Sequence, residues 1–130
     1  MTPEPIRLWH AFLESREPAA LQALLAEDVV FESPVVHTPQ AGRAITTKYL
    51  TGAVAVLNGE AFRYLDQWFA ERSAVLEFAT EIDGIVINGV DIIRWDESGR
   101  IVRFKVMIRP LKAINLLHQR MGAMLAQLAG

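Results

Sequence analysis

Cysteine is absent from the 130 residues of this chain, which excludes disulfides, thiolate metal sites and cysteine nucleophiles. An excess of one charge is lacking too: 13 Lys and Arg stand against 15 Asp and Glu, for a net charge of −2. A nucleic-acid binder would carry a basic stripe, so nucleic acid is not an expected partner. No apolar run approaches the length of a membrane span, and the opening MTPEPIRLWH lacks the basic and apolar segments of a signal peptide. A cytoplasmic chain that does not engage a membrane is therefore expected. There is no glycine-rich phosphate loop, no Ser-His-Asp order and no internal repeat. Histidine occurs only at positions 10, 37 and 118, and no His/Asp/Glu group has metal-ligand spacing. Neither a metal nor another cofactor is expected. What the chain does have is apolar residues, 52% of the total. That suffices for one core at this length, and residues 1–130 are read as one domain.

The most informative stretch runs from Ala74 to Arg109: AVLEFATEI, Asp83-Gly84, IVINGVDIIRW, Asp96-Glu97-Ser98-Gly99, RIVRFKVMIR. Asp-Gly between alternating apolar runs predicts a two-residue hairpin, because both residue types tolerate positive φ. Side chains alternate between faces along a strand. Leu76, Phe78 and Ile82 therefore share one face, as do Ile93 with Trp95, and Val102 with Phe104, Val106 and Ile108. Glu77, Glu81, Arg94, Arg103, Lys105 and Arg109 fall on the other. The Asp83-Gly84 turn pairs Leu76 with Asp91. A four-residue loop at Asp96 to Gly99 pairs Ile93 with Val102 and Asp91 with Phe104. One face is then apolar and the other carries opposed charges, and Asp91 sits on the apolar one.

Upstream, Thr2-Pro3-Glu4 predicts a helix start with a hydroxyl cap, running to about Ser15 with Ile6, Trp9 and Leu13 on one stripe. Glu17-Pro18 starts a short second helix, with Leu21, Leu24 and Leu25 at helical spacing. Val29 to Ser33 reads as a short strand. The following segment, Ser33 to Gly42, holds two prolines and a glycine and is read without a regular element. A third helix spans about Arg43 to Leu57, with Ile45, Tyr49, Ala53 and Val56 on one stripe and Asn58-Gly59 as a left-handed stop. Glu60 to Ala70 reads as a strand with either Phe62, Tyr64, Asp66 and Trp68 or their neighbours facing inward. Leu111 to about Leu128 forms a terminal helix whose broad apolar surface suggests packing on two sides.

This order of elements resembles the nuclear transport factor 2-like fold, an α+β cone shared by ketosteroid isomerases, scytalone dehydratase and SnoaL-like cyclases. LLAEDVVFESPVVHTPQAGRAI resembles the family's strand, proline loop and helix start, and GVDIIRWDESGRIVRFKVMIRP its last hairpin. The resemblance implies three N-terminal helices against a strongly curved, mainly antiparallel sheet, an apolar pocket between them and a homodimer formed through the charged face. It does not imply a reaction. Ketosteroid isomerases place an aspartate base before the loop proline, where this chain has Ser33. Their oxyanion hole combines a tyrosine with a protonated aspartate, at positions that match Trp9 and Asp91. Serine cannot take a proton from carbon without a neighbouring base, so the resemblance does not carry that isomerisation over. The Arg-x-Asp of limonene-epoxide hydrolases is absent, and His10 and His37 do not have the spacing of the histidine pair of scytalone dehydratase.

Three functions follow as expectations. The first is a domain that binds a small apolar molecule, with Trp9, Phe78, Trp95, Phe104 and Val106 as walls, Tyr49 beside them, and Asp91 and Ser33 as the polar groups that orient it. The second is an isomerase, cyclase or hydrolase in which neutral Asp91 is the acid and His37 or water the base. The third is a non-catalytic dimerisation module. Each candidate also has a plainer reading. A register shifted by one residue would turn Asp91 outward against Lys105; otherwise an inward Asp91 could simply bond a backbone amide. His37 could be a solvated loop residue, and Tyr49 core packing with a satisfied hydroxyl.

Overall fold

Asp83 and Gly84 both take positive φ, 53° and 77°, as a two-residue hairpin turn requires. They join β4 (Ser73–Ile82) to β5 (Ile85–Trp95) with Ile82 facing Ile85 and Leu76 facing Asp91. The structure, a computed structural model, describes residues 1–129. Before this hairpin come α1 (Glu4–Ser15), α2 (Pro18–Leu24), β1 (Leu25–Glu32), β2 (Gln40–Ala41), α3 (Arg43–Leu57) and β3 (Arg63–Phe69). After it come β6 (Ile101–Arg109) and α4 (Leu111–Ala129). The strands form one mixed sheet in the order β2-β1-β6-β5-β4-β3, antiparallel except where β1 runs parallel to β6. This is the α+β architecture the sequence resemblance implied.

The last hairpin differs from expectation by an even step. Asp91 pairs with Val106 and Ile93 with Phe104, because the turn holds one more residue and a bulge falls between Arg94 and Trp95. Asp96 organises this turn: its side chain accepts from the backbone N–H groups of Ser98 (2.9 Å) and Arg100 (3.1 Å). A shift of two leaves every side chain on its face, whereas a shift of one would have inverted them. Asp91 therefore stays inward, and Lys105 lies opposite Ile92, not Asp91.

Five local expectations are corrected. Thr2 makes no side-chain cap; Pro3 occupies the cap position of α1, and its carbonyl receives the N–H groups of Ile6 and Arg7. Leu25 leaves the helix and opens β1 against Ile101. Within the proline loop, Gln40 and Ala41 pair with Phe31 and Val30. At the end of α3, Asn58 keeps φ −89°, and the left-handed helix end falls instead on Arg16 (φ 59°) after α1. The buried stripe of α3 is Thr46, Leu50, Val54 and Leu57, which rotates Tyr49 and Ala53 toward its edge.

The inner face of the sheet packs on the helices through Ile6, Trp9, Leu50, Leu76, Phe78 and Phe104. Gly89 makes room for this packing. A Cβ there would lie 2.6 Å from both the Phe78 ring and the Met107 carbonyl oxygen, inside any permitted contact, so the bare backbone is the seat of the Phe78 ring. A bulge between Tyr64 and Asp66 re-aims β3. Tyr64 lies beside Phe78 on the inner face, Gln67 follows it inward beside Leu76, and Asp66 turns outward. Among the described residues, the Asp66 side chain accepts only the Gln67 backbone N–H, at 2.8 Å.

Candidate functional site

Strand alternation and the hairpin register deliver Asp91 to a part of the inner face that its neighbours do not fill. A cavity of about 210 Å³ opens there between the sheet, α3 and α4. Trp9, Phe78, Phe104 and Val106 form its floor; Tyr49 and Leu57 line it from α3, and Leu117, His118 and Met121 from α4. The lining is overwhelmingly apolar, and such a cavity with a few convergent polar groups is the usual form of a small-molecule site.

Those polar groups form a chain of hydrogen bonds. The Trp9 indole Nε1–H donates to the Tyr64 hydroxyl oxygen at 2.9 Å. An indole nitrogen can only donate, so the tyrosine keeps its own proton for a second partner. That partner is Oδ2 of Asp91, 2.9 Å away. Among the described residues no other side-chain bond reaches Asp91, and no cation lies within ion-pair distance of it. Burial therefore dominates and pushes the Asp91 carboxyl up from 3.8 to about 7, partly offset by the Tyr64 hydrogen bond. Burial, and then the charge of Asp91, likewise hold the Tyr64 phenol well above its usual range. Near neutral pH the site can thus present a neutral carboxylic acid, with Oδ2 occupied by Tyr64 and Oδ1 left for the cavity.

Trp9, Ser33, Tyr49, Phe78, Asp91, Phe104 and Val106 all line this cavity. Trp95 does not. It is buried at the far end of β5, opposite Ile101, about 13 Å along the strand from Asp91 at ordinary strand rise. His37 does not line the cavity either. The proline loop turns back after Val36 and leaves His37 over a separate shallow depression with Glu32 and Lys105, so it is not brought to Asp91. His10 is bonded to Gln67 at 3.1 Å, also outside the cavity. The Ser33 hydroxyl stands at the rim and accepts the Val35 N–H at 3.0 Å, which spends it on shaping the loop.

Tyr64 is the cavity-lining residue, bonded to both Trp9 and Asp91, that sequence reasoning passed over. Its signal was present in the Phe62, Tyr64 alternation, but the bulge at Leu65 breaks that pattern, so strict alternation could not choose the inner face. His118 also lines the cavity, from a helix whose apolar surface had suggested subunit packing.

Comparison with known proteins agrees with this architecture. A steroid delta-isomerase from Pseudomonas aeruginosa shares 37% identity at a TM-score of 0.89, over 97% of this chain and 93% of that one. An uncharacterised protein with a cystatin-like fold from Silicibacter pomeroyi shares 30% identity at a TM-score of 0.84, over 92% of this chain and 84% of that one. A protein with a ketosteroid isomerase-like fold from Catenulispora acidiphila, solved with trimethylamine, is 18% identical at a TM-score of 0.61, over 82% and 85% of the two chains, and is alike in fold alone. No curated protein matches the chain in sequence. Residues 6–104 match the SnoaL-like domain, and the chain belongs to that family, with the nuclear transport factor 2-like fold and a relationship to steroid isomerase-like proteins.

Proposed function

We propose that this chain binds a small, largely apolar molecule through a carbonyl or hydroxyl oxygen. The observation that carries the reading is Asp91, a carboxyl without a cation on the wall of an apolar cavity, with one oxygen taken by Tyr64. In its neutral form it donates from Oδ1 to a carbonyl oxygen, while Trp9, Phe78 and Phe104 cover the ligand's carbon skeleton. A self-filled cone would favour a purely structural module; the space beside Asp91 favours a ligand. The opposed charges of the outer sheet face remain the proposed surface for a homodimer, to be checked by sedimentation.

Alpha-tetralone, a bicyclic ketone, and tetralin, the same skeleton without oxygen, separate the polar from the apolar contribution. Tryptophan quenching, reported by Trp9, is expected to show tetralone binding about five- to tenfold more tightly, the worth of one hydrogen bond. The preference should fall about three- to fivefold between pH 6 and pH 8 as Asp91 ionises, and should vanish in Asp91→Ala. Equal affinity for the two compounds would refute the reading.

The second reading is enzymic, and the 37% identity to a steroid delta-isomerase favours it. Asp91 would then be the acid that activates the bound carbonyl. It requires a base, and neither Ser33 nor His37 is placed to be one.

A further inference from the structure

We propose that a notch in the edge of the sheet, where β1 ends beside Lys105 of β6, is a second binding site and takes a small organic carboxylate. It is separate from the apolar cavity, with Ser33, Pro34, Val36 and Val106 as the wall between the two. The proposal therefore stands or falls independently of the carbonyl-binding reading.

The notch exists because two neighbouring strands stop at different places. Glu32 opposite Lys105 is the last pair between β1 and β6, whereas β6 continues to Arg109. The chain leaves the sheet at Ser33-Pro34. Beyond Lys105, the main-chain groups of β6 that point away from β5 therefore have no strand to bond. The opening measures about 280 Å³. Val106, Met107 and Ile108 line it along this free edge, and Glu32, His37 and Lys105 supply its charged and titratable groups.

The donors at this notch outnumber its acceptors. Glu32 is already matched, because Arg103 Nε lies 2.5 Å from its Oε1. Lys105 Nζ is 3.9 Å from Oε2, beyond hydrogen-bond reach. Among the described residues, no hydrogen bond claims either the Lys105 ammonium or the His37 ring. An ammonium has three N–H donors and a neutral imidazole has one. With Arg103 spent on Glu32, Lys105 is the surplus cation, which balances one negative charge; a dianion would carry its second charge against Glu32. Val36 and Met107, 44% and 49% exposed, flank the notch with apolar surface, and so does Pro34. That favours an organic anion over an inorganic one. One carboxylate oxygen accepts from Lys105, and the other takes a main-chain N–H of the open β6 edge, as a further carbonyl of β1 would have done.

The test titrates the full chain with benzoate and with benzamide, its neutral counterpart, following the backbone amide resonances of Met107 and Ile108 at constant ionic strength. Benzoate is expected to shift them saturably and benzamide to bind at least about tenfold more weakly, the low end for a hydrogen bond to a charged group. Lys105→Gln should weaken benzoate by about the same factor. Glu32→Gln, which removes the carboxylate that opposes the ligand, should tighten it severalfold. These opposite signs at two paired residues are what a merely structural ion pair would not produce. Equal affinity for benzoate and benzamide, an unchanged Lys105→Gln, or a Glu32→Gln that binds more weakly overturns the proposal. So does chloride producing the same saturable shifts, which would make the notch a general counter-ion patch. Benzoate that tetralone displaces would lie in the apolar cavity, and that too overturns the notch while leaving the carbonyl-binding reading in place. Failure of tetralone to bind overturns only that reading, because the two variants report on the notch without it.

Discussion

Two carboxylates, on opposite faces of the same sheet, meet opposite fates. Glu32 on β1 points outward, where Arg103 Nε lies 2.5 Å from Oε1 and Lys105 Nζ 3.9 Å from Oε2. The hydrogen bond from Arg103 holds its carboxyl below the usual value. Asp91 on β5 points inward, meets one phenol and no cation, and is pushed up to about 7. The pivot between the two environments is a single residue step along β6: Lys105 faces out toward Glu32, and Val106 faces in opposite Asp91. Alternation alone therefore decides whether an acid on this sheet is a solvated ion or a buried donor. The ionic face could tolerate loss of a partner, while the inner face holds a charge-prone group whose protonation is tied to folding.

The most direct way to break the contrast is Asp91→Asn. Between the unfolded value near 3.8 and the folded value of about 7, the native state keeps a proton that the unfolded chain releases. Wild-type stability therefore falls as pH rises through that window. By pH 8 the accumulated loss is roughly 4 kcal/mol. An amide can accept from Tyr64 and has no charge to bury, so it escapes this loss. Chemical denaturation should show the two proteins close together at pH 4 and the asparagine variant ahead by pH 8. Parallel curves for the two proteins would mean that Asp91 does not carry its proton into the neutral range.

Tyr64→Phe sharpens the comparison by removing the one bond that keeps the Asp91 value from rising further. It leaves both the Trp9 N–H and Asp91 Oδ2 without their partner, at a cost of about 1–2 kcal/mol for the lost hydrogen bonding. A carbon-detected titration of the Asp91 carboxyl should move above 7, and the window of pH-dependent stability should widen upward with it.

Much of this contrast was legible before any coordinates. Asp83-Gly84 settles which residues of β4 and β5 share a face, so Asp91 could be placed opposite Leu76 and among apolar side chains by counting. The exact partner on β6 was not legible, because the bulge at Arg94 and Trp95 adds a residue that no propensity announces; only its even count preserved the face. Tyr64 was hidden for the same reason, a bulge one residue beyond it. Trp95 was misjudged because strand alternation gives the face and says nothing of depth along the strand. His37 was misjudged because a loop with two prolines has no periodicity from which to read a direction. Periodicity reports faces; sites also need distances, which come from bulges and turns.

The smallest expected effect is on the outer face. Glu32→Gln removes a carboxylate whose value is lowered in the folded chain, so the stability it contributes is present above the unfolded value near 4.5 and lost as pH falls through the lower folded one. This is the opposite sign to Asp91. Arg103 is well exposed, and such pairs are screened by solvent and add little. The variant should differ only marginally from wild type at pH 7, the difference should shrink with added salt, and it should disappear as acid protonates Glu32 in the folded chain. A large, salt-insensitive loss would mean that the outer face is covered, and the proposed homodimer through this face would be its natural cover. Because Glu32 lies on the face away from the cavity, tetralone affinity should not change, and that separates a covered outer face from a disturbed inner one.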